Sequence, residues 1–146
     1  MTPQLVQKKF DLNYYESYIS YLTTVKKFKQ IGEGASRIGF QRDNIVIKVP
    51  WNNQGFIDNI IEAYAYRQYR NIANVYGIVF APCRLLSNAC LMMPYVVRMS
   101  YDDLPRWAQR IDGAQAGRYK GRVVAYDSAY DLRSLRKHAM EWASLS

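Results

Sequence analysis

Residues 25–49 contain the pattern that most restricts the fold: three short apolar runs separated by two turn sequences. The run VKKFKQI is followed by GEGAS, the run RIGFQ is followed by RDN, and the third run is the β-branched IVIKV. β-branched residues favour strands, whereas Gly and Asp-Asn sequences favour tight turns. Three consecutive antiparallel strands are the simplest arrangement that fits this pattern.

Helical periodicity flanks these strands on both sides. Residues 12–22 carry apolar side chains at helical spacing behind Asp11, which can serve as an N-cap, and they predict a short opening helix. Apolar residues also recur every three or four positions over residues 56–70. This second stretch predicts a helix of about four turns.

The second half of the chain predicts two hairpins. Residues 81–96 suggest a hairpin that turns at Ser87 and Asn88, and its continuous apolar second strand, LMM, belongs in the centre of a sheet. Pro105 lies near the first turn of a predicted short helix. A hairpin turning at Lys120 and Gly121 and a C-terminal helix follow. The predicted class is therefore α+β, with three antiparallel strands between two helices, followed by two hairpins and a C-terminal helix.

Length and composition exclude several protein classes. With 146 residues, of which 49% are apolar or aromatic and 22% charged, the chain is long enough for one domain with its own core. No apolar run is long enough for a membrane span or a signal peptide, so we expect a cytoplasmic protein with no membrane association. Cys83 and Cys90 indicate neither a zinc site nor a disulfide framework, and His138, the single histidine, excludes a multi-histidine metal centre.

Charge is an unusual property of this sequence. Twenty Lys and Arg residues against twelve Asp and Glu residues give a formal charge of +8. This balance suits an anionic partner, which includes a nucleotide, a nucleic acid or an acidic protein surface. The cations are dispersed along the chain, so a solvated basic surface explains the charge equally well.

The order of the predicted elements resembles that of the small lobe of a protein kinase followed by a fragment of its large lobe. Three strands, a helix, two strands and a hairpin follow one another, and the residues at their junctions agree with that family. The resemblance implies one kinase-like domain over residues 1–146. Residues 25–96 would correspond to the small lobe, an antiparallel five-stranded sheet with one packed helix. Residues 97–146 would correspond to a vestigial large lobe, a hairpin plus a C-terminal helix.

The segment GEGASRIGF at residues 32–40 resembles the glycine-rich loop of kinases, whose backbone approaches the nucleotide phosphates. Gly32, Gly34 and Ser36 would belong to that loop, whereas Arg37 replaces the third glycine of the family pattern. By the same resemblance, Lys48 in IVIKVP is the lysine that holds the phosphates, and Glu62 in the following helix is its acidic partner.

Two further segments resemble the remaining parts of a kinase nucleotide site. LMMPYV resembles the hinge strand against which adenine stacks, with Met93 as gatekeeper and Pro94, Tyr95 and Val96 as hinge. VVAYDSA places Asp127 like the metal-binding aspartate of the family, and Gln115 lies close to its metal-binding asparagine. The resemblance therefore implies ATP and Mg²⁺ as ligands.

Departures from the family concern the catalytic step. Only thirty residues separate Val96 from Asp127, too few for the long helices that support a kinase catalytic loop. Arg110 stands at the position of the catalytic aspartate, and Asp112 is the only carboxylate nearby. The resemblance thus implies a pseudokinase, in which Lys48 and Asp112 are the residues available for any phosphotransfer.

Each of these residues also has an ordinary structural interpretation. Lys48 can be a strand lysine that extends to solvent, although its alternation with Ile47 and Val49 puts it on the opposite face from these apolar side chains. Gly32 and Gly34 can form a tight hairpin that needs positive φ. Asp127 can cap the C-terminal helix and Asp112 can be a turn residue, while the methionines pack in a core.

Two functions thus remain open from the sequence. The first is a kinase-like nucleotide-binding protein without efficient phosphotransfer. The second is a basic interaction protein that binds or inhibits a host protein or a nucleic acid without nucleotide, with aromatic residues stacking on single-stranded bases as one version of it. A D-x-x-Q-x-G stretch ahead of the AYD strand resembles small proteins encoded by tailed bacteriophages, which implies the host cytoplasm as location.

Overall fold

The computed structural model describes residues 5–75, 79–109 and 116–126, and over these ranges the protein is α+β, as predicted. It contains an antiparallel five-stranded sheet, a three-stranded sheet and two long helices. The chain divides into two compact units, Met1–Ala63 with Cys83–Tyr95, and Tyr64–Pro82 with Val96–Ser146.

Helix α1 spans Leu12–Thr24 and confirms the predicted opening helix. The Asp11 side chain accepts a hydrogen bond from the Tyr14 amide and caps the helix, as its extended backbone allows. After the helix, Lys27 adopts a left-handed backbone with φ of 62°. This turn occupies the residues predicted to open the first strand, which begins instead at Lys29.

The first unit is built on a five-stranded sheet of order β1-β2-β3-β5-β4 in which neighbouring strands are antiparallel. Its strands are β1 (Lys29–Glu33), β2 (Arg37–Arg42), β3 (Ile45–Pro50), β4 (Arg84–Leu85) and β5 (Leu91–Pro94). The predicted meander and the predicted hairpin around Ser87 and Asn88 are both present. Strand β5 pairs with β3 on one side and β4 on the other, which confirms its central position.

Helix α2 spans Asn53–Val75 and begins three residues earlier than its apolar periodicity indicates. The reason is a polar cap that hydrophobic periodicity cannot show. The side-chain oxygen of Asn52 accepts a hydrogen bond of 2.9 Å from the Gly55 amide, which satisfies one of the first backbone donors of the helix.

The main core lies on one face of the sheet. Ile38 pairs with Val49 and Phe40 with Ile47, so these four buried side chains share that face. Buried residues of both helices join the same cluster, namely Tyr15 and Leu22 of α1 and Phe56 of α2. The prediction of one packed helix is therefore wrong, because α1 also contributes buried side chains to this core.

The second unit contains strands β6 (Val97–Arg98), β7 (Ala116–Tyr119) and β8 (Arg122–Ala125), together with the short helix α3 (Arg106–Gln109) after Pro105. Lys120 and Gly121 form the predicted two-residue turn, both with positive φ. The predicted C-terminal helix lies outside the described residues. None of the helices in the described ranges is both long enough and apolar enough to cross a lipid bilayer.

Candidate functional site

Lys48 lies in a row of residues that crosses four strands of the sheet. The register pairs Gly32 with Gly39, Gly39 with Lys48, and Lys48 with Leu91. Two positions on one side of the lysine therefore carry no side chain. At Gly32, no heavy atom outside its chain neighbours lies within 4 Å of where a Cβ would be, so the sheet surface is open at that position.

The Lys48 side chain is largely buried and close to Glu62. Strand β3 alternates as predicted, which places Lys48 on the opposite face from the buried Ile47 and Val49. The Lys48 Nζ atom lies 3.8 Å from Glu62 Oε1, and the two side chains are 13% and 6% exposed. The prediction that these charges are neighbours within ion-pair reach is confirmed.

Glu62 has a second cationic partner that the sequence did not indicate. The Arg37 guanidinium donates through Nη1 to Glu62 Oε2, and only 10% of the Arg37 side chain is exposed. Arg37 stands where the kinase pattern has its third glycine. One carboxylate thus holds two cations, and this arrangement commits Glu62 to charge pairing rather than to proton transfer.

Asn59 connects this charged cluster to the backbone of the sheet. Its side chain is fully buried, and its amide group makes three hydrogen bonds, all to residues of the first unit. The amide nitrogen donates to the carbonyl oxygens of Lys48 and Ala89 at 3.1 and 3.0 Å, and the amide oxygen accepts from Arg37 at 3.1 Å. Asn59 and Glu62 are three residues apart on one helix and so lie on the same face.

The Cys83 thiol lies beside the same helix, 3.8 Å from the carbonyl oxygen of Glu62. Burial and the Glu62 carboxylate raise the pKa of Cys83 to about 12. Burial also raises the pKa of Cys90. Both thiols are therefore protonated at neutral pH, as is typical of cysteines buried among other side chains.

The turn between β1 and β2 is attached to the start of α2. The Trp51 amide donates to the carbonyl oxygen of Ser36 at 2.8 Å, and the Asn52 side chain donates to that of Ala35 at 2.9 Å. The Ser36 hydroxyl donates to Asp58 Oδ2 at 3.0 Å. The close approach of the Ser36 backbone to α2 requires Gly55, because a Cβ at residue 55 would lie 1.9 Å from the Ser36 carbonyl oxygen. A phosphate contact by the Ser36 hydroxyl would have to replace its bond to Asp58.

The conformation of Gly32 and Gly34 differs from the structural interpretation given above. Gly121 is the one glycine in the described ranges with positive φ, so neither Gly32 nor Gly34 is in the left-handed region. The interpretation of these two glycines as a hairpin that needs positive φ is wrong. The bend is instead closed by a hydrogen bond of 2.9 Å from the Gly34 amide to the Arg37 carbonyl oxygen.

Apolar side chains lie beside Lys48 on the same face of the sheet. Met93 pairs with Val46, both are buried, and they follow the Lys48–Leu91 pair in the register. Ile31, which is half exposed, approaches Gly39 to within 3.5 Å of its Cβ position. The sequence patterns singled out Met93 but missed Ile31 and Val46. Their positions could have indicated them, because Ile31 directly precedes Gly32 and Val46 lies two residues before Lys48 on the same strand.

The remaining predicted residues belong to the hinge segment or lie outside the described ranges. The Tyr95 amide donates to the Asn44 carbonyl oxygen at 2.8 Å and its side chain is exposed, while Val96 belongs to the second unit. Asp112, Gln115 and Asp127 lie outside the described residues. Within the described ranges, no three His, Cys, Asp or Glu side chains are grouped so that they could hold a metal ion.

The geometry thus provides two nearly buried cations with a shared carboxylate, an open sheet position at Gly32, and the buried apolar pair Val46 and Met93 beside Lys48. Guanidinium and ammonium groups are the usual protein ligands of phosphate oxygens. Together these features suit an anionic ligand with an apolar or aromatic part. No family model, curated protein or solved structure matches this chain.

Proposed function

We propose that this protein is a kinase-like nucleotide-binding protein without efficient phosphotransfer. The observation that carries the proposal is the contact between Lys48 and Glu62, beside a sheet row that contains two glycines. A lysine that a carboxylate orients from the following helix is the arrangement by which kinases hold the α- and β-phosphates of ATP.

The two glycines of the row support a ligand close to the backbone. Glycine in a strand weakens the strand unless a special conformation or a close approach requires it. Gly32 has neither a left-handed backbone nor a neighbouring atom that a Cβ would meet, and it borders the β-bulge between Gln30 and Gly32. A phosphate chain lying against β1 and β2 gives this glycine a second physical reason besides the bulge.

The base would lie on the apolar surface beside Lys48. Val46 and Met93 are side by side on adjacent strands, and Ile31 approaches the same face over Gly39. Apolar side chains around a few fixed polar groups are typical of small-molecule sites. We assign the hinge role to Tyr95 and Val96, which follow β5, from the family resemblance.

Mg²⁺ and phosphotransfer are the remaining parts of the proposal. Asp127 and Gln115 would supply the oxygen ligands that Mg²⁺ prefers. Efficient transfer needs a base at the acceptor hydroxyl, and Arg110 at that position cannot accept a proton at neutral pH. Asp112 is the remaining carboxylate in this loop, so we propose at most slow phosphotransfer.

Thermal unfolding in the presence of ATP and Mg²⁺ tests nucleotide binding. At a ligand concentration 100 times Kd the stabilisation is about 2.7 kcal/mol. For a chain of this size, that corresponds to a rise in Tm of about 5–10 °C. Lys48→Met should abolish the rise, whereas Lys29→Met, which removes an exposed lysine from edge strand β1, should preserve it.

Gly32→Ala provides a second test that is independent of the charges. The added methyl group has room in the ligand-free protein, so the Tm without nucleotide should not fall. It would project onto the surface where the phosphates are proposed to lie, so the rise with ATP should shrink. If the wild-type protein shows no rise at millimolar ATP or GTP, the proposal is wrong, and an interaction function becomes the better account.

A further inference from the structure

Three tyrosines form a continuous row along the outside of α1. Tyr14, Tyr18 and Tyr21 are spaced by four and three residues and so lie on one side of the helix. The ring centroids of Tyr14 and Tyr18 are 6.2 Å apart with planes at 6°, and those of Tyr18 and Tyr21 are 6.3 Å apart with planes at 27°. We call these three residues the tyrosine row.

Tyr14 and Tyr21 lie outside the core, whereas Tyr18 packs against its edge. The residues that α1 buries are Tyr15 and Leu22, which lie about 40–120° around the helix from the tyrosines of the row. Tyr14 and Tyr21 remain 36% and 43% exposed, and Tyr18 is half-buried at the edge of the core. The partly exposed rings of Tyr14 and Tyr21 thus offer the kind of aromatic surface on which an unpaired base can stack.

Exposed cations flank the row at both ends. Lys8 and Lys9 precede α1, and Phe10 stacks on Tyr15 at its first turn. At the other end, the Nζ atom of Lys26 lies 5.8 Å from the centre of the Tyr21 ring, and the exposed Lys27 follows.

Arg42 adds a further cation at the C-terminal end of the helix. Its guanidinium donates to the Lys26 carbonyl oxygen at 2.9 Å and lies 5.0 Å from the centre of the Phe28 ring. The acidic residue within α1, Glu16, lies about 140–160° around the helix from the tyrosine row. The aromatic row therefore runs between two ends that carry lysines, with the N-cap Asp11 beside Lys8 and Lys9 as the acidic side chain at the N-terminal end.

From this arrangement we infer that the tyrosine row binds single-stranded nucleic acid. Aromatic rings stack with any exposed base, while flanking cations track the phosphates of the strand. Helix α1 is about 20 Å long, so the two lysine pairs can neutralise phosphates on either side of a few stacked nucleotides. The charge argues for a polyanion, and the aligned rings argue for unpaired bases rather than a duplex. This surface is separate from the proposed nucleotide site.

Fluorescence anisotropy with a labelled oligothymidine of about ten nucleotides tests the inference. We expect a Kd of roughly 10⁻⁵ M at physiological salt, within the range of sequence-independent binding. Tyr14→Ala and Tyr21→Ala should each weaken binding about tenfold, because each removes one stacking surface. Lys26→Ala and Lys27→Ala should each reduce the slope of log Kd against log salt by about 0.7.

Matched controls remove an exposed tyrosine and an exposed cation elsewhere. Tyr101→Ala and Arg84→Ala should bind the oligonucleotide like the wild-type protein, and all variants should retain the wild-type Tm. Ultraviolet cross-linking with mass spectrometry should place the modified residues on α1. Lys48→Met should not change the affinity, which separates this surface from the proposed ATP site.

Several outcomes would overturn the inference. One is oligonucleotide binding that is unaffected by loss of both Tyr14 and Tyr21. A second is equal affinity for the duplex of the same length, since charge alone would then explain binding. A third is no binding at low salt, in which case the row serves another partner, such as a peptide.

Discussion

Gly55→Ala tests the attachment of the β1–β2 turn to α2. The Cβ added at residue 55 would lie 1.9 Å from the carbonyl oxygen of Ser36 and 2.9 Å from its carbonyl carbon. Both are backbone atoms of a short turn, so they cannot move aside as the end of a flexible side chain can. Either the turn separates from the helix or the first turn of α2 distorts.

The expected cost follows from the contacts involved. Overpacking of this kind costs about 1–3 kcal/mol, and loss of the hydrogen bond from the Trp51 amide to Ser36 adds about 1 kcal/mol. Alanine is preferred to glycine in a helix by about 1 kcal/mol, which offsets part of this cost. The net destabilisation is therefore about 2 kcal/mol, equivalent to a fall in Tm of about 4–8 °C.

Urea and thermal denaturation of Gly55→Ala and Gly32→Ala provide the measurement and its matched control. Both variants add one methyl group to a glycine of the first unit, but the group at residue 32 meets no atom within 4 Å. Gly32→Ala should leave the free energy of unfolding unchanged or raise it by up to about 1 kcal/mol. If Gly55→Ala is as stable as Gly32→Ala, the close approach of the Ser36 carbonyl to α2 is wrong.

Three further predictions concern the charged cluster, the buried thiol and catalysis. Glu62→Ala should lower the free energy of unfolding by about 3–5 kcal/mol in urea titrations, because it leaves two nearly buried cations without their shared carboxylate; a loss below about 1 kcal/mol would contradict this role. Burial raises the pKa of the Cys83 thiol from 9.0 to about 12, so the protonated thiol stabilises the folded protein fully below pH 9, and this stabilisation is lost as the pH rises towards 12. Cys83→Ala should therefore lose less stability at alkaline pH than the wild-type protein. An unchanged loss would refute the raised pKa of Cys83. Incubation with radiolabelled ATP followed by intact-mass analysis should show at most slow autophosphorylation; multiple-turnover phosphorylation of a peptide that is lost in Asp112→Asn and Asp127→Asn would show that the protein is an active kinase.

The parts of the fold that the sequence predicts are those governed by local rules. The turns RDN and Lys120–Gly121 specify their own conformation, and the alternation of β3 decides which face Lys48 occupies. The position of Glu62 followed from helical periodicity together with the family resemblance. For these features neighbouring residues contain the necessary information.

The features that the sequence did not predict depend on contacts between distant segments. Arg37 and Glu62 are 25 residues apart, and no local pattern indicates that a strand arginine reaches a helix carboxylate. Asn59 is polar and fully buried, against the usual preference of its type, because three distant groups satisfy its amide. The helix and strand boundaries also shifted, through the Asn52 cap and the left-handed turn at Lys27.

The buried amide of Asn59 has a consequence for how the protein opens. It hydrogen-bonds to the backbone of β3, to the backbone of the β4–β5 turn and to Arg37 at the start of β2, while its own backbone belongs to α2. Separating any one of these segments leaves a buried polar group without its partner, which costs about 1–3 kcal/mol. The four segments should therefore exchange their amide hydrogens with a common opening free energy, as one cooperative unit of the native state.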